Sequence, residues 1–276
     1  MTNWSLVIFT LLIQAAVGLV WLGIAGHWFG GALEEDMPVV SMAMALGFTG
    51  LGLLAALVHL AAPQRAPHAL RNPAISWLSR EVLLVPMFAT ALFIVMAATR
   101  WGGANAVLFL EFTALLLGGA ALWAMTGVYL LKTVPAWHTP ATPLEFVGSA
   151  LLLGGALSMV SAFSNTAAPA GWGPVSTTAA IGMGLGLAVK LAAVYPGMAA
   201  ERVARAKVWY PQPIPALSAG QARVARSVSN MVGVVLILAA AHRGWPAGVY
   251  LGFVIIAAGE VIGRRRFYRL YGRIGL

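Results

Sequence analysis

Residues 77–98 read Trp77-Leu-Ser-Arg-Glu81-Val-Leu-Leu-Val-Pro-Met-Phe-Ala-Thr-Ala-Leu-Phe-Ile-Val-Met-Ala-Ala98, and beyond Glu81 they carry no charge. A run of this length and polarity crosses a hydrocarbon core of about 30 Å as a helix. Seven more runs of the same kind lie at roughly 5–26, 38–60, 106–131, 144–165, 175–197, 226–242 and 246–263. Mean hydropathy is +0.85, with 60% hydrophobic and 9% charged residues. That composition excludes a soluble globular chain. The sequence therefore predicts an all-α membrane protein, a bundle of eight transmembrane helices, with 1–276 as a single integral membrane domain. The first run lacks a basic n-region and a small-residue cleavage site, and is read as a retained helix. The longest polar connector, about 198–225, is expected to be too short and too rich in Pro and Ala to fold alone.

The basic residues are distributed unevenly. Fourteen of the 17 Lys and Arg fall on the side shared by the two termini and the even-numbered connectors. Only Arg100 and Arg243 fall on the other, and Lys190 lies inside the sixth run. By the positive-inside rule the basic side, with both termini, is cytoplasmic, which implies a bacterial inner membrane. The same face could dock an acidic soluble partner. The net charge of +9 is thus accounted for without nucleic acid. The absence of cysteine excludes disulfides and thiolate-held clusters within the protein.

Ionisable groups inside spans are expensive and mark function by default. His59 ends the second run and Glu81 opens the third, so a short basic connector brings both to one face. Lys190, Glu260 and Glu145 fall toward that face too, and Glu111 toward the other. Each of these has a plain structural reading. Lys190 can snorkel to the interface. Glu260 can pair with Arg264 one turn on. Glu145, after Thr142-Pro143, suits the first turn of a helix. The glycines of the second, fifth and sixth runs (Gly47, Gly50, Gly52; Gly154, Gly155; Gly182, Gly184, Gly186) read as close-packing positions. Trp4, Trp28, Trp77, Trp101, Trp137, Trp209, Tyr210 and Trp245 read as interfacial anchors.

Haem b would need two histidines at one depth on neighbouring helices. His27 and His242 lie at the side opposite His59, and His68 and His138 lie in connectors, so neither haem nor a metal is expected in this protein. Quinol chemistry needs less: groups that hydrogen-bond two oxygens and accept protons. A histidine titrating near pH 6.5 suits the task. A carboxylate just inside the bilayer is a second acceptor; desolvation and the nearby Arg65 and Arg80 act on it in opposite senses.

At these residues the sequence resembles the membrane anchor subunit of dimethyl sulfoxide reductase-type molybdoenzymes. The matching segment is His59-Leu60, Pro63, Arg65-Ala66, Leu70, Ser76, Leu78-Ser79 and Glu81, without a gap. Weaker matches are Thr133-Val134-Pro135 with Trp137 and Thr142-Pro143, and Glu260, Ile262-Gly263-Arg264, Phe267-Tyr268. The Arg264-Arg265-Arg266 run is more basic than the family pattern requires. The resemblance implies binding of a quinone (menaquinone or ubiquinone), with His59 and Glu81 as the quinol-reactive pair. Arg65, Ser76 and Thr142 match positions around that site. It also implies a four-cluster iron–sulfur subunit and a catalytic subunit that holds molybdopterin, both separate polypeptides. The electrons could flow either way, to an S-oxide or N-oxide, or from a sulfite dehydrogenase into quinone. A different class of function is a proton- or ion-coupled transporter using Glu81, Lys190 and His59 as a relay. Against it stand the crowding of ionisable groups in one leaflet and the lack of a visible inverted repeat.

Overall fold

The computed structural model of the protein describes residues 4–30, 37–59, 68, 70–101, 104–164, 173–207 and 216–271. These form α1 (Trp4–Gly30), α2 (Met37–His59), α3 (Trp77–Trp101), α4 (Ala104–Tyr129), α5 (Ala141–Ser164), α6 (Pro174–Lys207), α7 (Ala216–His242) and α8 (Pro246–Arg269). All eight are long and apolar enough to span a membrane. Among the described residues there is no strand.

Each helix packs most closely on a sequence neighbour: α1 on α2, α3 on α4, α5 on α6, and α7 on α8. The pairs are joined through α1 and α5, the two most deeply buried helices. Their sequences explain the position. Both are apolar around the whole circumference, and a helix without a polar stripe belongs inside. They also approach closely. A Cβ on Gly18 would lie 1.7 Å from the Ala150 carbonyl oxygen, and one on Gly154 would lie 2.1 Å from the Gly18 carbonyl carbon. Van der Waals packing of small residues holds helices together in lipid, where tails are as apolar as leucine. Hydroxyls within this core are satisfied locally, as with Ser158 Oγ, which donates to the Gly154 carbonyl at 2.9 Å.

The expected glycine contacts divide accordingly. Gly52, Gly154, Gly155, Gly182 and Gly186 each face a neighbouring helix at close range, whereas Gly47, Gly50 and Gly184 face open space.

Contacts between helix ends establish the up-and-down order. At one end the start of α1, the end of α4, the start of α5 and the end of α8 converge. Tyr268 Oη lies 2.8 Å from Tyr129 Oη and 3.3 Å from Thr10 Oγ1. At the other end, the close of α1 meets the start of α4 through His27 and Glu111, and the close of α5 meets the start of α8 through Ser164 and Tyr250. The first of these is the basic end.

Two expectations are corrected here. Helices α6 and α7 run well past the expected ends of their runs at 197 and 226, so 198–207 and 216–225 of the connector continue these helices. The reason is an ion-pair cluster: buried Glu201 accepts from Arg205 at 3.0 Å, from Arg223 at 2.9 Å and from Arg266 of α8. Trp137 is no surface anchor. It is buried, donates its Nε1–H to the Phe267 carbonyl at 2.8 Å, and lies flat on the Phe267 ring with centroids 5.1 Å apart. Trp209 and Tyr210 lie outside the described residues.

Candidate functional site

Glu81 stands one turn into α3 at the basic end. Its side chain points into the bundle, leaving the residue 5% exposed. Its Oε1 is buried with no hydrogen-bond partner among the described residues. An unsatisfied buried oxygen costs about 1–3 kcal/mol, so such atoms call for an explanation. Tyr129 and Tyr268 lie near it. Both belong to an aromatic cluster with Phe146, Trp137 and Phe267, in which ring centroids lie 5.1–6.3 Å apart.

The start of α3 is set by Ser76. Its Oγ accepts the backbone N–H of Ser79 at 3.3 Å, an N-cap on a helix beginning at Trp77. Arg80 turns outward, donating to the carbonyls of Pro73 and Ala74 and lying 4.3 Å over the Trp77 ring. Trp77 in turn fits against Gly127 of α4, where a Cβ would lie 2.4 Å from the indole. Sequence-local capping and one cross-helix notch thus fix the turn that carries Glu81.

Thr142 stands at the start of α5. It is buried in α5 and donates to the Trp137 carbonyl at 2.7 Å, holding the connector before α5. It also lines a cavity of about 210 Å³ among α5, α6, α7 and α8 to which Glu81 does not contribute. The backbone of His59 closes α2, but its side chain and all of Arg65 lie outside the described residues.

The cavity holds a polar cluster that single-residue reading disperses. Glu260 of α8 accepts from Lys190 Nζ at 2.8 Å, Ser149 Oγ at 2.6 Å, Asn230 Nδ2 at 2.7 Å and Arg226 Nε at 3.4 Å. Glu145 of α5 accepts from Arg226, and from Lys190 at 3.4 Å. So Lys190 does not snorkel and Glu145 does not serve the start of its own helix. Glu260 does not pair with Arg264 either, because α7 and α6 offer closer cations. Arg264 instead reaches Gln14 of α1 at 2.7 Å, with its guanidinium 4.0 Å over Phe146. Ser149, Asn230 and Arg226 are legible in sequence only as an interior hydroxyl, an interior amide and a basic residue at a helix start.

On the opposite end, fully buried Glu111 accepts from Trp28 Nε1 at 3.0 Å and sits 2.9 Å from His27 Nδ1.

An eight-helix membrane bundle with most of its buried ionisable groups gathered at one basic end defines the class. Comparison with known proteins gives the family. The family model of the DMSO reductase anchor subunit (DmsC) matches residues 1–270, and the protein belongs to this family. It is 29% identical to YnfH of Escherichia coli, an anaerobic dimethyl sulfoxide reductase polypeptide, across 99% of this sequence and 96% of that one. It is 28% identical to a second anaerobic dimethyl sulfoxide reductase polypeptide of the same organism, with the same coverage. A sulfite dehydrogenase polypeptide of Allochromatium vinosum is 28% identical across 52% of this sequence and 50% of its own length. The protein is thus a membrane anchor subunit of an oxidoreductase complex, a role that implies catalytic and iron–sulfur partner subunits.

Proposed function

We propose that this anchor exchanges electrons between the quinone pool and a four-cluster iron–sulfur subunit docked on its basic end, which in turn connects to a molybdopterin-bearing catalytic partner. The observation that carries the reading is Glu81, a buried carboxylate whose Oε1 has no partner among the described residues. It stands within the segment His59 to Glu81 that carries the family pattern. A quinol hydroxyl is a donor that would satisfy this oxygen. Oxidised, the quinol yields two electrons and two protons. Glu81 accepts one hydrogen bond and its proton, and His59, at the end of α2, serves the second oxygen. Ser76 holds the turn bearing Glu81, Thr142 holds the connector that packs Trp137 beneath the aromatic cluster, and Arg65 adds positive charge in the intervening segment. The basic end faces the cytoplasm of a bacterial inner membrane under this reading, with both termini on that side.

A proton- or ion-coupled transporter fits less well, because the buried charges concentrate at one end of the helices. Electrons leave quinol in the dimethyl sulfoxide reductase variant of the proposal and enter quinone in the sulfite dehydrogenase variant; the likenesses include both. The test uses the purified complex. Glu81→Gln and His59→Ala are expected to abolish quinone-linked turnover while activity with an artificial donor or acceptor at the catalytic subunit survives. Persistent quinone-linked turnover in both variants would place the site elsewhere.

A further inference from the structure

Among the described residues helices α6 and α7 make few contacts beyond the Glu201–Arg223 ion pair, and the cavity of about 210 Å³ opens between them. Its floor is polar: Glu145 and Ser149 of α5, and Glu260 of α8. Its mouth is apolar: Leu191 of α6 and Met231 of α7 line it while remaining 63% and 57% exposed. On a membrane-spanning bundle, side chains so exposed face lipid. The cavity is therefore a lateral pocket, with a polar end within the protein and an opening toward acyl chains.

Charge determines what fits the polar end. Lys190, Arg223, Arg226, Arg264 and Arg266 line it against the carboxylates Glu145 and Glu260. The nearby Glu201 is shared by Arg205, Arg223 and Arg266. Lys190 and Arg226 are compensated by Glu145 and Glu260, and Arg264 is committed to Gln14 and the Phe146 ring. The surplus positive charge open to a ligand therefore rests on Arg223 and Arg266, which share one carboxylate, Glu201, with Arg205. A guanidinium offers five N–H donors and matches phosphate oxygens in pairs. The Arg266 Nε is buried with no partner among the described residues. The pocket thus presents spare, partly desolvated donors toward the basic end of the helices.

We infer that the cleft between α6 and α7 binds an anionic phospholipid, its phosphate diester held by Arg223 and Arg266 and an acyl tail passing out between Leu191 and Met231. Basic pockets between transmembrane helices take such headgroups. The volume suits a headgroup, with the tails remaining in the bilayer. A neutral quinone head would leave the surplus charge unanswered. This inference concerns α5–α8 and does not depend on the role of Glu81.

The test is thermal unfolding of the whole complex, delipidated in detergent and supplemented in turn with phosphatidylglycerol, phosphatidylcholine or inorganic phosphate. A ligand that binds only the folded state raises the midpoint, here by about 3 °C or more. Phosphatidylglycerol is expected to give that shift and the other two far less. Equal shifts with both lipids would overturn the inference, and an equal shift with inorganic phosphate would reduce the site to a free-anion site. Arg223→Gln and Arg266→Gln are expected to lose at least half of the phosphatidylglycerol shift. Because both touch the Glu201 cluster and can fail to fold, Leu191→Trp supplies an independent variant that obstructs the mouth from a lipid-facing position. If Leu191→Trp keeps the full shift, the acyl path does not run there and the inference fails.

Discussion

Lys190 Nζ of α6 lies 2.8 Å from Glu260 Oε2 of α8, with the two side chains 8% and 2% exposed. Helices α6 and α8 are thereby linked through side chains across the interior that α5 and α7 enclose. The cost of desolvating both charges is met by the additional bonds from Ser149, Asn230 and Arg226. This is the feature from which the stability of the second half of the bundle is best tested.

Removing one partner leaves a buried charge behind. Lys190→Met is expected to destabilise the complex by about 3 kcal/mol, the lower end of the range for broken buried pairs, because Glu260 keeps Arg226 and Asn230. Lys190→Met combined with Glu260→Gln should cost less than the sum of the two single changes by at least about 1 kcal/mol. Denaturant or thermal unfolding in detergent reads this out. Additive losses would show that the two residues do not act as a pair.

The crossing of α1 and α5 leaves no room for a side chain at Gly18, where a Cβ would collide with the Ala150 carbonyl. Backbone does not yield in the way a flexible side chain does. Gly18→Ala is therefore expected to cost at least about 3 kcal/mol, the top of the usual overpacking range. Gly184→Ala, whose Cβ meets nothing within 4 Å, should lie within about 0.5 kcal/mol of the parent. Folded yield and unfolding midpoint of the two variants distinguish a tight crossing from general glycine tolerance.

What is legible in the sequence follows from the physics of each feature. Helix number and the basic end are readable because hydropathy and loop charge are local properties, and the bilayer imposes them on every span. The helical continuation past Gly197 and before Arg226 is not. Those segments look like polar loop until Glu201 is seen shared among cations from α6, α7 and α8. The same limit applies to Lys190, Glu145 and Glu260. Each is recognisable as costly, but its partner lies on another helix at a sequence separation that periodicity does not bridge. The segment from Ser76 to Glu81 is the opposite case. The acid one turn into the third run is a local feature, and Glu81 stands there in α3, with the Ser76 cap before it added by the structure.

Ser76 separates a capping role from a ligand role. Ser76→Ala removes the acceptor for the Ser79 N–H and is expected to cost about 1 kcal/mol, whereas Ser76→Gly should cost only a few tenths. Quinone-linked turnover should follow the same order, with the glycine variant close to the parent. If Ala and Gly lose turnover equally while the unfolding midpoints differ, the hydroxyl itself contacts the quinone.

The buried Glu111 answers two donors, Trp28 Nε1 and His27 Nδ1, at the end of the bundle opposite Glu81. Glu111→Leu removes both acceptors at once and leaves the indole and imidazole N–H groups without partners between α1 and α4. Each unsatisfied donor costs about 1–3 kcal/mol, so a loss of about 2 kcal/mol or more is expected. Glu111→Gln keeps one oxygen acceptor and should lose roughly half as much. Neither change alters the groups proposed to meet the quinol. The ratio of quinone-linked to artificial-donor turnover should therefore stay at the parent value even as the unfolding midpoint falls. A drop in that ratio for Glu111→Gln, measured well below its unfolding temperature, would draw the His27 end of the bundle into the quinone chemistry and require a second proton-handling site there.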